Sequence, residues 1–315
     1  MIKIDELLND INTLAITGHV HPDGDCVGAT LALYNYVKKN FENINVSLFL
    51  ESSSDKLSFL KGFDEIITDF PHRDGFDMII VLDSASLDRI GKSEHYYKRS
   101  KKTVCIDHHV SNNGYAEINH IEPDASSASE IIYTCMDANK IDKDIAECIY
   151  TGIVFDTGVF KYPSTSPRTM MIVSKLMEFD IPTDFIIDES FYMKTYNENK
   201  IMGYALMNSK LAFDGRVIYS SISKKDMSDF DVTNKDLDGI VAQLRLTKGV
   251  LVAVFSYETV AGDIKFSLRS IEPFDVNQVA NTFGGGGHIR ASGCTLKGTL
   301  EDTMPKVLAE IAKYL

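Results

Sequence analysis

The sequence predicts an α/β protein: a mostly parallel sheet with helices on both faces, joined by a helical connector to a smaller α+β domain with a mixed sheet. Three observations carry this reading. Over the first half, short apolar runs alternate with stretches of helical periodicity. One run, Met78-Ile79-Ile80-Val81-Leu82, is continuous rather than alternating, as a strand buried on both faces of a parallel sheet requires. From about Asp180 the texture changes to short strands separated by Asp214-Gly215 and Ala261-Gly262-Asp263, which are hairpin turns.

Taken in order, residues 1–10 read as a short amphipathic helix without the apolar core and cleavage site of a secretory leader. Leu14-Ala15-Ile16 is a buried strand, and residues 27–37 form the following helix, with apolar side chains at 27, 31, 34 and 37. Between them lies Gly18-His19-Val20-His21-Pro22-Asp23-Gly24-Asp25, a strand-to-helix turn at the carboxyl edge of the sheet, where open α/β folds place ligands. Residues 44–50 are a strand, Met78–Leu82 runs into Asp83, and residues 103–106 run into Asp107-His108-His109. Helices follow over 126–138, 145–155 (ending at Asp156-Thr157-Gly158) and 167–179. The expected domains are 1–186, a helical connector over 187–207, and 208–315. The last part holds strands at 211–213, 217–219, 250–255 and 264–268, a helix carrying Val276, Val279, Ala280 and Phe283, and a closing helix over 300–315.

The 315 residues include 44% hydrophobic and 24% charged side chains, enough for a sizeable core. Against 32 basic residues stand 45 acidic ones, a net charge of −13. That balance argues against long duplexes, whose binding by counterion release wants a basic face. Small phosphorylated ligands held by bound cations and a few placed Arg or His side chains remain compatible. Five cysteines without a C-x-x-C pair form neither a disulfide frame nor a zinc knuckle. No apolar run approaches a membrane span. The expected location is cytoplasmic, with no membrane partner.

The chemistry-bearing groups of the first domain stand where apolar elements end: His19, Asp23, Asp25, Asp83, Asp107, His108, His109 and Asp156. Any strand must stop at something polar, which explains one such Asp but poorly explains four elements ending in Asp or His. Hard carboxylate and imidazole ligands without cysteine suit Mn²⁺ or Mg²⁺ better than zinc. They are too many for one ion, and two ions sharing a carboxylate account for the number. His21 reads as a loop residue and Cys26 as helix packing. Arg89 either reaches the cleft or pairs with Asp88. In the second domain, Gly284-Gly285-Gly286-Gly287 offers backbone N–H groups for an anion nest, closed by His288. A flexible loop is the commoner meaning of a lone glycine run; the helix before it and the histidine after it favour a placed one. On the strand 264–268, Ile264, Phe266 and Leu268 face one way, and Lys265, Ser267 and Arg269 the other. Lys265 reads as solvated, and Arg269 as either a surface side chain or a phosphate ligand.

These residues resemble the DHH phosphoesterases, named for the triplet present as Asp107-His108-His109. His21-Pro22-Asp23-Gly24-Asp25, Asp83 and residues 152–158 are similar to the family's other N-terminal motifs. Gly284 to His288, followed by Ala291-Ser292-Gly293, resembles the signature of its associated C-terminal domain. The resemblance covers nearly the whole chain, and the layout looks like the nanoRNase/pAp phosphatase group. It implies one metal on His19, Asp23 and Asp83 and another on Asp25, Asp83, His108 and Asp156. It also implies that His109 faces the substrate phosphate, that Asp107 orients a histidine, and that Arg269, His288 and the glycines Gly285, Gly286 and Gly287 hold substrate. The implied activity is two-metal hydrolysis of very short oligonucleotides to mononucleotides, with 3′-phosphoadenosine 5′-phosphate (pAp) as a second substrate. The domains would open and close about the connector, and a homodimer is compatible. The alternatives are a phosphodiesterase for cyclic di-AMP or pApA, a pyrophosphatase or polyphosphatase, and a metal- and nucleotide-binding regulator without catalysis. Ala29, Phe155, Val159 and Lys161 stand where the family often has Ser, Thr, Gly and Arg. None is an implied ligand, so the departures bear on substrate preference near residues 159–162.

Overall fold

In the computed structural model, which describes residues 2–72 and 74–315, the chain divides between Met193 and Lys194. The first unit runs α1 (Ile4–Leu7), β1 (Thr13–Thr17), α2 (Gly24–Asn40), β2 (Asn45–Phe49), β3 (Met78–Leu82), α3 (Glu94–Tyr97), β4 (Lys102–Asp107), β5 (Ile118–Ile121), α4 (Ala128–Cys135), α5 (Lys143–Asp156), α6 (Pro167–Met177) and α7 (Thr183–Ile187). Its five strands are all parallel, in the order β2-β1-β3-β4-β5. The chain leaves β1 to one side through α2 and returns on the other side to lay down β3. At that reversal the carboxyl ends diverge, leaving the crevice where such sheets bind ligands. β1 stops just before Gly18-His19 and β3 just before Asp83.

All five residues of β3 are buried, which explains its unbroken apolar sequence. Met78, Ile80 and Leu82 join Leu14, Ile16, Val104 and Ile106 in the core beneath α2, α4 and α5. Ile79 and Val81 turn the other way, with Ala15, onto Phe49, Phe76, Ile90, Tyr96 and Tyr97. Among the described residues that second face has short cover, α3 and the 3₁₀ turn Leu87–Ser93, thickened by tilted and edge-to-face aromatic rings.

α2 and α5 meet backbone to backbone. A Cβ added at Gly28 would lie 2.6 Å from the Cys148 carbonyl oxygen and 2.9 Å from the Gly152 nitrogen. This crossing sets the start of α2, with Asp25, beside the end of α5, with Asp156. Asp23 caps α2, its Oδ1 accepting the N–H groups of Asp25 and Cys26 at 3.1 Å each.

At the opposite edge of the sheet, Asp77 ties β1 to β3. Lys101 and the N–H groups of Asn12 and Thr13 hold its carboxyl well below the usual carboxylate range. A depressed folded pKa means stability that is complete above the unfolded value, about 3.9, and is lost as pH falls through the folded one. Asp77→Asn is therefore expected to lower the melting temperature at pH 7, and the deficit should shrink as thermal scans are moved below about pH 4.

The second unit runs α8 (Tyr196–Met207), β6 (Lys210–Ala212), β7 (Val217–Ile222), α9 (Lys224–Asp229), α10 (Ile240–Arg245), β8 (Val252–Glu258), β9 (Ile264–Ser270), α11 (Val276–Thr282), β10 (Gly286–His288), β11 (Ala291–Leu296) and α12 (Leu300–Ala312). The sheet order is β10-β11-β9-β8-β7-β6, antiparallel except for β7 beside β8. One face packs under α11 and α12 and the other under α8 and α10. The expected connector is thus shared: the turn Asp188–Tyr192 lies in the first unit and α8 in the second. The β6–β7 hairpin turns through Phe213, Asp214 and Gly215, all with positive φ.

The glycine run is not the loop of free N–H groups that the sequence suggests. Gly284 and Gly285 donate to the Asn281 and Ala280 carbonyls at the end of α11, at 3.0 and 2.9 Å, and Gly286–His288 is strand β10, paired with β11. Close approach is the reason for two of the glycines. A Cβ at Gly285 would fall 2.1 Å from the Gly293 carbonyl oxygen, and one at Gly287 would fall 2.5 Å from that of Ala291. Among the described residues, no helix is long and apolar enough to cross a membrane.

Candidate metal centre

The eight acidic and histidine residues found at element ends come together in the first unit, around Asp83. His19 Nε2 stands 3.4 Å from Asp83 Oδ2 and 3.7 Å from Asp23 Oδ1. On the other side, His108 Nε2 stands 3.5 Å from Asp83 Oδ1 and 3.1 Å from Asp156 Oδ2. Donor atoms of Asp25, His108 and Asp156 lie within 4.8 Å of one another, as do those of Asp83, His108 and His109, and those of His19, Cys26 and Asp83. Asp83 belongs to two of these three groups. Its backbone is in the left-handed region, φ 53°, with its N–H bonded to the Ile106 carbonyl at 3.1 Å. This kink, tolerable for Asp, turns the carboxylate back over the strand ends.

The donor set fits divalent cations. Among the described residues, Asp83 Oδ1 is buried and has no hydrogen-bond partner, a state that costs free energy unless something positive satisfies it. His19 Nδ1 lies 2.8 Å from the Val20 carbonyl, which can only accept, so Nδ1 carries a proton and Nε2 is the ring atom that faces Asp23 and Asp83. The charges point the same way. Burial pushes the imidazole of His19 down, but Asp23 and Asp83 overcome it and lift the pKa to about 10. Burial likewise opposes protonation of His108, yet Asp156 and Asp83 raise it to about 11. Burial and the neighbouring Asp83 and Asp156 charges push Asp25 well up. Five carboxylates around three imidazoles form a pocket that favours positive charge.

Asp25 is held differently from the others. Its oxygens accept the N–H groups of Ala128 and Ser129, at 2.6 and 3.0 Å, at the start of α4. A helix start suits an anion because its first N–H groups have no partner within the helix. Gly152 leaves space for this arrangement: a Cβ there would sit 2.0 Å from Ser129 Oγ and 2.6 Å from Asp25 Oδ1.

His109 is the outermost of the three histidines. Its Nδ1 is 2.8 Å from Asp107 Oδ1, and the other oxygen of the fully buried Asp107 accepts from Asn112 Nδ2 at 2.7 Å. Asn112 also donates to the Ser84 carbonyl at 3.1 Å, so one amide braces Asp107 against the segment that follows Asp83. The chain Asn112–Asp107–His109 leaves His109 Nε2 as the free end of a fixed ring. Asn112→Ala should lower kcat about 10- to 100-fold, the usual cost of removing an outer partner from such a chain. Circular dichroism and the melting curve would show whether the fold survives.

Beyond Asp156, Gly158, Val159 and Phe160 all have positive φ, at 55°, 58° and 62°. Successive left-handed residues are costly, most of all for β-branched Val159. Thr157 holds the turn: its Oγ1 donates to the Ile153 carbonyl at 2.6 Å and accepts the Phe160 N–H at 3.0 Å, and its carbonyl takes those of Lys161 and Tyr162. The conformation explains why glycine suits position 159.

His21 lies outside the cluster, exposed, with its N–H on Glu51. The Cys26 thiol is buried at the cluster's edge, and burial and Asp83 push its pKa well up, which keeps it neutral. Arg89 is exposed and has no ion pair with Asp88; its carbonyl accepts the Val20 N–H at 2.6 Å. Arg269, half-buried, and His288, exposed, belong to the second unit.

Residues 13–153 match the DHH family, N-terminal domain, and residues 214–315 match the DHHA1 domain. A Streptococcus mutans protein named probable bifunctional oligoribonuclease and PAP phosphatase NrnA is 30% identical over 289 residues, covering 90% of this chain and 89% of its own. The chain belongs to the DHH family. It is a hydrolase acting on phosphoester bonds. The Bacillus subtilis member named bifunctional oligoribonuclease and PAP phosphatase NrnA is 29% identical over 315 residues, 97% of this chain and 96% of that one. A crystal structure from Bacteroides fragilis, described as an exopolyphosphatase-related protein, superposes with a TM-score of 0.90 at 29% identity, covering 98% of this chain and 94% of that one.

For a DHH-family site, sequence reasoning missed Asn112, the α4 N-terminus and the packing role of Gly28 and Gly152. Nothing in Ser111-Asn112-Asn113-Gly114 separates Asn112 from an ordinary turn residue. The two glycines were visible, but the reason for each lies on another helix.

Proposed function

We propose that this DHH-family hydrolase trims very short single-stranded oligonucleotides to mononucleotides and removes a phosphate from pAp, with two divalent ions, Mn²⁺ before Mg²⁺, shared across Asp83. The observation that carries the two-ion reading is the position of Asp83, between a His19/Asp23 group and a His108/Asp25/Asp156 group, with a buried oxygen left unsatisfied. The names of the relatives support this substrate class. The net charge of −13 is consistent with short ligands rather than long duplexes.

Divalent ions bound there would supply Lewis acidity, lowering the pKa of a water and offsetting phosphoryl charge. In this reading His19, Asp23 and Asp83 hold one ion, and Asp25, Asp83, His108 and Asp156 the other. Asp107 accepts from His109 Nδ1 and raises the pKa of the ring, which in its protonated form would donate from Nε2 to a non-bridging phosphate oxygen as charge builds there. Arg269 would take a second phosphate oxygen pair through its guanidinium, with His288 beside it. The backbone strain at residues 158–160 lies just after Asp156 in the chain, and the Tyr162 ring packs over Gly158.

A substrate panel tests the reading. With Mn²⁺, labelled RNAs of two to five nucleotides and pAp should show higher kcat/KM than pApA or cyclic di-AMP. Fastest cleavage of cyclic di-AMP would overturn the substrate assignment.

A further inference from the structure

The place of Asp25 depends on where α4 begins, and the start of α4 is held from behind by charge. Ser127 caps the helix, its Oγ accepting the Glu130 N–H at 3.0 Å. Ser127 and Glu130 have the spacing of a capping box, in which the glutamate would reach back to the N–H of the capping serine. Glu130 goes elsewhere. Its Oε2 accepts from Ser126 Oγ and from Thr169 Oγ1 of α6, each at 2.6 Å, and its Oε1 faces Arg168 Nε at 3.2 Å. The carboxylate is wholly buried, so its charge needs the guanidinium beside it.

Arg168 also holds a second carboxylate. Its Nη1 donates at 2.5 Å to Oε2 of Glu122, the residue that follows β5. Glu122 in turn donates its N–H to the Asp107 carbonyl at 3.0 Å, on the peptide that leads into His108, and its Oε1 lies 2.8 Å from His120 Nε2. One guanidinium therefore joins two segments that serve the metal centre: the start of α4, whose Ala128 and Ser129 N–H groups hold Asp25, and the end of β4, which runs into His108. Its own backbone is fixed, because Ser166 and Thr169 form a reciprocal capping box around the first turn of α6. His19 and Asp23 are set from within their own turn, by the Val20 carbonyl and the first N–H groups of α2. Stability alone explains such a bridge poorly, since buried ion pairs contribute little net and are often replaceable by apolar side chains. Geometry explains it better: a planar guanidinium fork fixes two acids relative to each other, which a point-charge ammonium does not.

We propose that Arg168 is a positioning residue of the metal centre: by bridging Glu130 and Glu122 it sets the start of α4 and the end of β4, and so Asp25 and His108, at the spacing that one of the two ions needs. The inference rests on the two-ion reading above and goes beyond it, since Arg168, Glu122 and Glu130 are not among the residues that would hold an ion. Loss of the bridge empties the Asp25/His108/Asp156 position before the His19/Asp23 position.

The test is titration of the full chain with Mn²⁺, without substrate, followed by electron paramagnetic resonance as loss of the free-ion signal. Arg168→Gln should weaken the second Mn²⁺ equivalent about 10- to 100-fold, the usual cost of removing an outer partner from a metal site, and change the first less than about twofold. Arg168→Lys keeps a charge beside Glu130 but spans only one acid, and should fall between the parent chain and Arg168→Gln. Lys175→Gln removes an exposed pair with Glu178 on the same helix and should bind Mn²⁺ as the parent does. Equal weakening of both equivalents in Arg168→Gln would overturn the inference as a general loosening of the unit, and unchanged binding would overturn it outright. If Arg168→Gln does not fold, as a metal-free melting curve would show, Arg168→Lys decides: selective weakening of the second equivalent supports the inference, and any other result overturns it. A parent chain that takes up one Mn²⁺ only would end the two-ion reading, and this inference with it, so the two failures are told apart.

Discussion

Replacing Asp83 by Asn lowers kcat at least about a thousandfold, on the scale of removing a principal charge-stabilising group, and leaves the fold in place. Both halves of this expectation come from the same geometry. Asn adopts the left-handed backbone at φ 53° as readily as Asp, so the turn after β3 is not strained by the change. The lost charge is the one that faces both the His19 and the His108 groups, so both proposed ion positions should weaken together. Thermal denaturation separates this from simple unfolding. For the parent chain, Mn²⁺ at a hundredfold excess over Kd should add about 2.7 kcal/mol for each ion bound, and that gain should largely vanish in Asp83→Asn. A variant keeping full activity would remove Asp83 from the centre of the account.

Gly152→Ala should be as damaging to activity, by a different route, and should cost stability as well. The new methyl group would stand 2.0 Å from Ser129 Oγ and 2.6 Å from Asp25 Oδ1, at a crossing where α2 and α5 already touch through Gly28. Neither helix can give way without moving Asp25 off the first N–H groups of α4. Overpacking of this kind costs about 1–3 kcal/mol, which in a unit of this size means a melting temperature lower by roughly 2–12 °C. The Mn²⁺-dependent rise in melting temperature should fall with it. Gly203→Ala is the control: it sits in α8 with nothing within 4 Å of the added Cβ, and should be neutral or stabilising. If Gly152→Ala melts and turns over like the parent chain, the α2–α5 crossing is looser than described and does not position Asp25.

The sheet of the first unit was legible where burial on both faces writes a continuous apolar run, as in β1, β3 and β4. β5 was not, because Ile118-Asn119-His120-Ile121 is an edge strand, half exposed, with two polar residues in four. β10 was not, because Gly-Gly-His has no strand preference; its pairing follows from its neighbour β11. α2 begins at Gly24, earlier than its apolar periodicity indicates, because the Asp23 side chain, not a hydrophobic face, starts it. The metal-centre candidates were legible for a simple reason: charged groups stood at the ends of several buried elements, and a parallel sheet collects those ends at one edge. What supports them was not. Asn112 looks like any turn asparagine, the α4 N–H groups are backbone, and the need for glycine at 28 and 152 arises only when two helices cross.

The central claim, two ions sharing the Asp83 carboxylate, is tested most directly by loading the full chain with Mn²⁺ and combining metal analysis with electron paramagnetic resonance. The account predicts two Mn²⁺ per chain with the spectrum of a magnetically coupled pair. One Mn²⁺ per chain at saturation, or two giving only the spectrum of isolated ions, would contradict it.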